Sequence, residues 1–197
     1  MKLDKLDNKI NDILSNIDIA VMLGTCHFPF ARLVEWADQL AQETNLNILV
    51  QYGTSNPPKI AFGVDSLDNA QMDLLRAKAK VLICQGGPSI MMQWIRDGYR
   101  PIVVPRDPDL GEHIDKHQIL FSNFMAEKNC IDVANTYSEV FSLVSDRLCN
   151  KTYVPSLEYL DSEKSALAVG ELVYSIIEEK SKTRFRRIIS RLFSKPV

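Results

Sequence analysis

The sequence predicts an α/β domain built on a doubly wound parallel sheet, with extra helices at its N- and C-terminal ends. Three observations carry this expectation. Short apolar runs alternate along the chain with longer stretches of helical periodicity, the pattern of right-handed βαβ units. A Gly86-Gly87-Pro88 turn joins one apolar run directly to a helix. Polar segments follow three of the runs (Gly24 to Phe28, Gln85 to Ser89, Asp107 to His117), so they should gather on the carboxyl edge of the sheet, where such folds bind ligands.

Each element has its own signal. Residues 3–14 place Leu3, Leu6, Ile10, Ile13 and Leu14 on one helical face. Ile17 to Leu23 read as the first strand. Pro29 to Thr44 follow as a helix, with Phe30, Leu33, Val34, Ala37, Leu40 and Ala41 on its apolar side. Asn47 to Tyr52 read as a second strand, Gly53 to Pro58 as a loop, and Ile60 to Phe62 as a short third strand. Ser66 to Lys78 form a helix with Ser66 or Asp65 near its cap.

Val81 to Cys84 suit a buried parallel strand. Gly86 and Gly87 are expected to turn the backbone with positive φ, and Pro88 sits where a first helical residue tolerates proline. Ile90, Met91, Trp94 and Ile95 recur at helical spacing as core residues, and Gly98 supplies the stop. Pro101 to Val104 make the next strand, 106–112 a loop, Ile114 to Ala126 a helix, and Ile131 to Ala134 a last strand. Helices near 136–148 and 163–192 close the chain. The expected division is an N-terminal helix (1–16), the α/β domain (17–150), a C-terminal helix packing on it (151–179) and a basic amphipathic tail (180–197).

Bulk properties narrow the function. The chain has 197 residues, 46% hydrophobic and 24% charged, which suits one soluble domain with a full core. It has no apolar run long enough to span a membrane and no apolar signal core at Met1 to Asp7, so a cytoplasmic location is expected. The four cysteines, Cys26, Cys84, Cys130 and Cys149, form no CxxC pair and read as structural thiols. Net charge is −2, but residues 180–197 alone carry +7 with no acid, leaving −9 on the rest. Phe185, Ile188, Ile189, Leu192 and Phe193 are spaced among those cations as in a basic amphipathic helix, which suits an anionic lipid surface or a membrane-bound partner. General nucleic-acid binding is not expected.

A glycine turn that opens a helix at the carboxyl end of a parallel strand offers amide N–H groups and a positive dipole end, a geometry suited to a pyrophosphate. No GxGxxG or GxxxxGK[ST] occurs, which argues against a dinucleotide-binding domain or an NTPase. His113 and His117 stand four residues apart, with Glu112 before and Asp115 between them. A helical zinc pair was weighed against this spacing. The glutamate precedes the first histidine, unlike HExxH, and no third ligand is evident, so neither metal nor cofactor is expected. His27 suits either a phosphate contact or a packed loop, and Arg106 either phosphate or a pair with Asp107 or Asp109.

These segments together resemble the C-terminal domain of family 28 glycosyltransferases, the C-terminal half of the GT-B fold. Leu23-Gly-Thr25 is similar to the family's glycine-threonine turn. Ile83-Cys-Gln-Gly-Gly-Pro-Ser-Ile90 is similar to its glycine-rich turn and helix start. Pro101-Ile-Val-Val-Pro-Arg106 followed by Leu110-Gly-Glu-His-Ile-Asp-Lys-His-Gln118 resembles a segment of its single-domain exopolysaccharide members, which are akin to the catalytic half of split UDP-GlcNAc transferases. The resemblance covers residues 17–150.

The resemblance implies a UDP-sugar donor. Gly24, Thr25, Gln85, Gly86, Gly87 and Ser89 would hold the pyrophosphate. Glu112, His113, Asp115, His117 and Gln118 would contact the ribose or sugar, and no general base is assigned. It also implies a metal-independent hexosyltransferase subunit of polysaccharide biosynthesis. Such a subunit would be peripheral on the inner face of the cytoplasmic membrane, and active with a membrane-associated partner that binds a lipid-linked acceptor. Many members carry histidine where Gln85 stands; an amide hydrogen-bonds but carries no proton or charge. The alternative is a non-catalytic nucleotide-sugar-binding or scaffolding subunit.

Overall fold

The computed structural model describes residues 2–149 and 155. The expected helix over 163–192, the packing helix within 151–179 and the basic tail therefore lie outside the described residues. The elements run α1 (Lys2–Ser15), β1 (Ile19–Met22), α2 (Ala31–Glu43), β2 (Ile48–Gln51), β3 (Phe62–Val64), α3 (Asn69–Lys78), β4 (Val81–Gln85), α4 (Pro88–Arg96), β5 (Ile102–Val104), a single 3₁₀ turn (Pro108–Leu110), α5 (His117–Glu127), β6 (Asp132–Val133) and α6 (Tyr137–Cys149). The strands form one parallel sheet in the order β3-β2-β1-β4-β5-β6. This is a doubly wound Rossmann-like sheet. Its order reverses between β1 and β4, the switch point at whose carboxyl edge such folds bind ligands.

Strands β1 and β5, and β4 from Val81 to Cys84, are buried throughout, because helices cover both faces. Ile19 and Val21 of β1 cluster with Val50, Ile83 and Val104 under α2 and α6. Alternation sends Ala20, Met22, Leu82 and Cys84 to the opposite face, where Met91, Trp94 and Ile95 of α4 are buried. Trp94 meets Tyr99 edge-on, with ring centroids 4.9 Å apart. Gly98 ends α4 with φ +87, and Tyr99 N–H returns to the Trp94 carbonyl, the expected glycine stop.

Several boundaries moved for local reasons. Strand β3 begins at Phe62 rather than Ile60, because the Asp38 carboxylate accepts the N–H groups of Lys59, Ile60 and Ala61 and draws them off the ladder. Helix α3 is capped by Asp68, not by Ser66 or Asp65; Asp68 and Gln71 form a reciprocal capping box. Helix α5 starts at His117 rather than Ile114, because Asp115 Oδ1 accepts the His117 N–H at 3.0 Å and fixes the first turn there. His113 and His117 consequently do not share a helix face. Gly87 has φ −82, and neither it nor Gly86 is left-handed.

Candidate functional site

The reason for glycine at 86 is space. A Cβ on Gly86 would lie 2.7 Å from Ser122 Oγ and 3.1 Å from the Gln118 carbonyl oxygen. The turn between β4 and α4 approaches α5 this closely only without it. At Gly87 the neighbour would be the Gln85 carboxamide, whose Nε2 lies 2.3 Å from the ideal Cβ position. Gly87 is the N-cap of α4, with Pro88 at the first helical position and no side chain capping the helix. The amides that open α4 therefore have no competition from a side-chain cap.

Gln85 lies across the switch point. Its Nε2 is 3.2 Å from a Cβ built on Gly24 and close to one built on Gly87, so its carboxamide sits between the two turns. Its Oε1 is buried without a hydrogen-bond partner. Gly24 has φ +76, which favours glycine, and is held by Gln51. Gln51 Oε1 accepts the Gly24 N–H at 3.0 Å, while its Nε2 donates to the Asp65 carbonyl at 2.9 Å. Thr25 and His27 are exposed on the same loop, and Ser89 is exposed in the first turn of α4.

On the other side of the switch point, Gln118 is buried. Its Oε1 accepts from Gly86 N at 3.1 Å and Arg106 N at 3.2 Å, tying the end of β4 to the end of β5. The Gly86 N–H is thus committed inward. Glu112 is 6% exposed and fully engaged. Arg32 donates to both its oxygens through Nε at 2.9 Å and Nη2 at 2.8 Å, and Asp107 N donates to Oε2 at 2.9 Å.

Arg106 is 1% exposed and pairs with neither Asp107 nor Asp109, one of the two roles the sequence left open. It donates instead to the carbonyls of Phe28 at 2.7 Å, Glu112 at 3.3 Å and Leu23 at 3.0 Å, fastening the loop after β1 to the loop after β5. Its guanidinium stacks 4.6 Å above the Phe30 ring, and Arg32 lies 5.3 Å from that ring. Burial lowers the Arg106 pKa, and the nearby Glu112 carboxylate acts against that.

The remaining side chains sit on the rim. His117 Nδ1 is hydrogen-bonded to Asp115 Oδ1, and His113 Nδ1 faces the same oxygen at 3.9 Å. The two imidazoles meet edge-on at 4.6 Å, and His113 packs on Phe28 at 5.7 Å. Burial lowers the His113 pKa, and the nearby His117 adds to it.

The structure thus brings the predicted residues to one edge but divides them. Gln85 ends β4, and Gly87, Ser89, Thr25, His113, Asp115 and His117 belong to the segments that follow β1, β4 and β5 at this edge; Gln118, Glu112 and Gly86 are consumed in holding those segments together. The sequence reading missed Gln51, Arg32 and Arg106 as the framework. A glutamine ending an apolar strand, and an arginine inside the apolar stretch Phe30 to Val34, were the available signals. A separate groove of about 850 Å³ runs between α2 and the 56–60 segment, lined by Glu35, Asp38, Gln42, Lys59 and Ile60. None of the candidate site residues lines it.

The domain thus combines a doubly wound sheet with a helix start free of a side-chain cap and two polar loops at its switch point, the place where such folds bind ligands. The family description "Glycosyltransferase family 28 C-terminal domain" matches residues 18–173, and the chain belongs to this family. It is a glycosyltransferase domain of the GT-B, Rossmann-like type. No curated protein sequence matches the chain. Among solved structures, MurG of Acinetobacter baumannii is similar at 18% identity and a TM-score of 0.48, over 74% of this chain and 46% of that one. The chain therefore spans less than half the length of that protein. Among the described residues, no helix is long and apolar enough to cross a membrane.

Proposed function

We propose that the chain is the donor-binding, catalytic subunit of a glycosyltransferase that takes a UDP-sugar. The observation that carries this reading is the start of α4, uncapped by any side chain and opening at the switch point between the 24–28 and 105–117 loops. Sugar transfer leaves a nucleoside diphosphate, so negative charge grows on the leaving phosphate. Oriented amides and a helix dipole stabilise that charge without a metal. The diphosphate would rest on Gly87, Ser89 and Thr25, with Gln85 donating its carboxamide N–H across the mouth. His113, Asp115 and His117 would meet the sugar or ribose hydroxyls. Gly24, Gly86, Glu112 and Gln118 act by shaping the walls.

The acceptor side is assigned to a second, membrane-associated subunit holding a lipid-linked saccharide, in polysaccharide assembly at the inner face of the cytoplasmic membrane. The general base would come from that partner or from the joint surface. Calorimetry with UDP tests the donor site. Gly87→Asp is the informative variant. At φ −82 it is unstrained, and its Cβ meets only the movable end of Gln85, so the fold survives while a carboxylate faces the phosphates. UDP affinity is expected to fall at least about tenfold, roughly 1.4 kcal/mol. Unchanged affinity removes the site.

Gln85 favours a second reading, a nucleotide-sugar-binding scaffold without turnover, because an amide cannot deliver a proton to the leaving group. An assay with the partner subunit separates the two. Sugar transfer by the pair establishes the enzyme; UDP binding without transfer establishes the scaffold.

A further inference from the structure

His113, Asp115 and His117 offer three ligand atoms that all lie within 4.8 Å of one another. They are two imidazole nitrogens and a carboxylate oxygen, a donor set of the borderline class that zinc, cobalt and nickel prefer. The sequence alone supplied two histidines and no third ligand. The third is Asp115, brought between them because α5 starts at His117 and leaves 113–116 as a loop curled over the helix start.

Independently, His113 Nδ1 is buried and has no hydrogen-bond partner. It faces the Asp115 oxygen at 3.9 Å, too far for a hydrogen bond. The only three histidines of the chain lie along this rim, His27 stacking on Phe28 at 4.3 Å and Phe28 on His113. Ligand atoms about 2.0–2.2 Å from a tetrahedral cation lie about 3.4 Å apart, so His117 and Asp115, now in hydrogen-bond contact, have to open slightly while His113 moves in. The backbone on either side is already pinned, by Arg32 on Glu112 and by Asp115 on His117 N–H.

We propose that His113, Asp115 and His117 form a three-ligand site for a divalent transition cation of the zinc class, with one coordination position left open, on the rim of the donor crevice. Binding displaces the proton that His117 Nδ1 shares with Asp115, and the two imidazoles and one carboxylate leave the bound dication with one net positive charge. A cation held there takes the lone pairs that would otherwise accept from sugar hydroxyls. Cation and UDP-sugar therefore exclude each other. This second consequence rests on the donor-site reading above; the cation site itself does not.

The test uses the full chain, stripped of metal and titrated with Co²⁺ followed by visible absorption, and with Zn²⁺ by calorimetry. One equivalent of Co²⁺ is expected to give the d–d bands of a four-coordinate nitrogen and oxygen site, displaced by Zn²⁺. The intense near-ultraviolet band of thiolate ligation should be absent. His113→Gln and Asp115→Asn should each weaken Co²⁺ binding at least about tenfold. Asp115→Asn keeps an acceptor for His117 N–H, so the helix start survives, and circular dichroism verifies both folds. No d–d bands, or bands unmoved by either variant, overturn the site. Zn²⁺ should also weaken UDP-sugar binding in the wild type and not in Asp115→Asn. Cobalt uptake with undiminished UDP-sugar affinity upholds the cation site and overturns the exclusion. Failure of UDP to bind at all removes the donor reading and leaves the cobalt result standing.

Discussion

Two adjacent glycines show how differently the same residue can be required. Gly86 is held by its surroundings: a methyl group there runs into Ser122 Oγ at 2.7 Å and the backbone of α5 at 3.1 Å. Gly86→Ala is expected to destabilise the fold by about 1–3 kcal/mol, the usual cost of overpacking. Gly87→Ala meets only the end of Gln85 and should cost less than about 1 kcal/mol. Urea unfolding of the two variants measures the difference as a midpoint shift at constant slope. Equal losses would mean that the contact with α5 does not set Gly86 apart from Gly87. Arg106 is the charged counterpart. Its guanidinium serves three backbone carbonyls from two loops. Arg106→Met leaves them unpaired in a buried place, at about 1–3 kcal/mol each before relaxation. Arg106→Lys should rescue little, since an ammonium cannot span the same fork. The same urea experiment reads both.

At the scale of elements, β4 is the hinge between the sheet and the site, and Cys84 is its last fully buried residue before the glycine turn. Burial pushes the Cys84 thiol up from 9.0 to about 12, while Cys149 on α6 is exposed. An aromatic disulfide reagent should therefore label Cys149 at once and Cys84 only on unfolding. The folded chain keeps this thiol protonated where the unfolded chain would lose the proton. The stability it contributes is thus present below pH 9 and lost as pH rises toward 12, and Cys84→Ala should flatten that decline. Rapid labelling of Cys84 in the native protein would refute its burial. The strands and helices were legible in the sequence because their apolar runs and 3.6-residue spacing are local facts. Glycine and proline marked the start and stop of α4 equally locally. What could not be read depended on partners distant in the chain. Asp38 unzips residues 59–61 from the sheet, and Gln118 spends its amide on Gly86 and Arg106 across 32 and 12 residues. Sequence spacing likewise began at Ile114 a helix that in fact begins at His117. The gathering of the candidate residues on one edge of the sheet was therefore readable, whereas their division into free and framework side chains was not.

For the whole molecule, the decisive quantity is the separation of charge: +7 within residues 180–197 and −9 elsewhere. An acidic body is repelled by an anionic bilayer, so any membrane attachment must come from the tail. Each Lys or Arg near such a surface contributes about 1 kcal/mol, and the interleaved Phe185, Ile188, Ile189, Leu192 and Phe193 add apolar burial. The family match ends at residue 173, so truncation after Glu179 removes every one of these cations and leaves all matched residues in place. The full chain is expected to sediment with vesicles rich in anionic lipid and not with neutral ones. Raised salt should weaken that binding, because the Debye length shrinks from about 10 Å at 0.1 M to about 3 Å at 1 M. The truncated chain should stay in solution while keeping its UDP affinity. Equal sedimentation of both forms would move the membrane contact off the tail; loss of UDP binding on truncation would make the tail part of the donor domain instead of an address for the subunit that carries it.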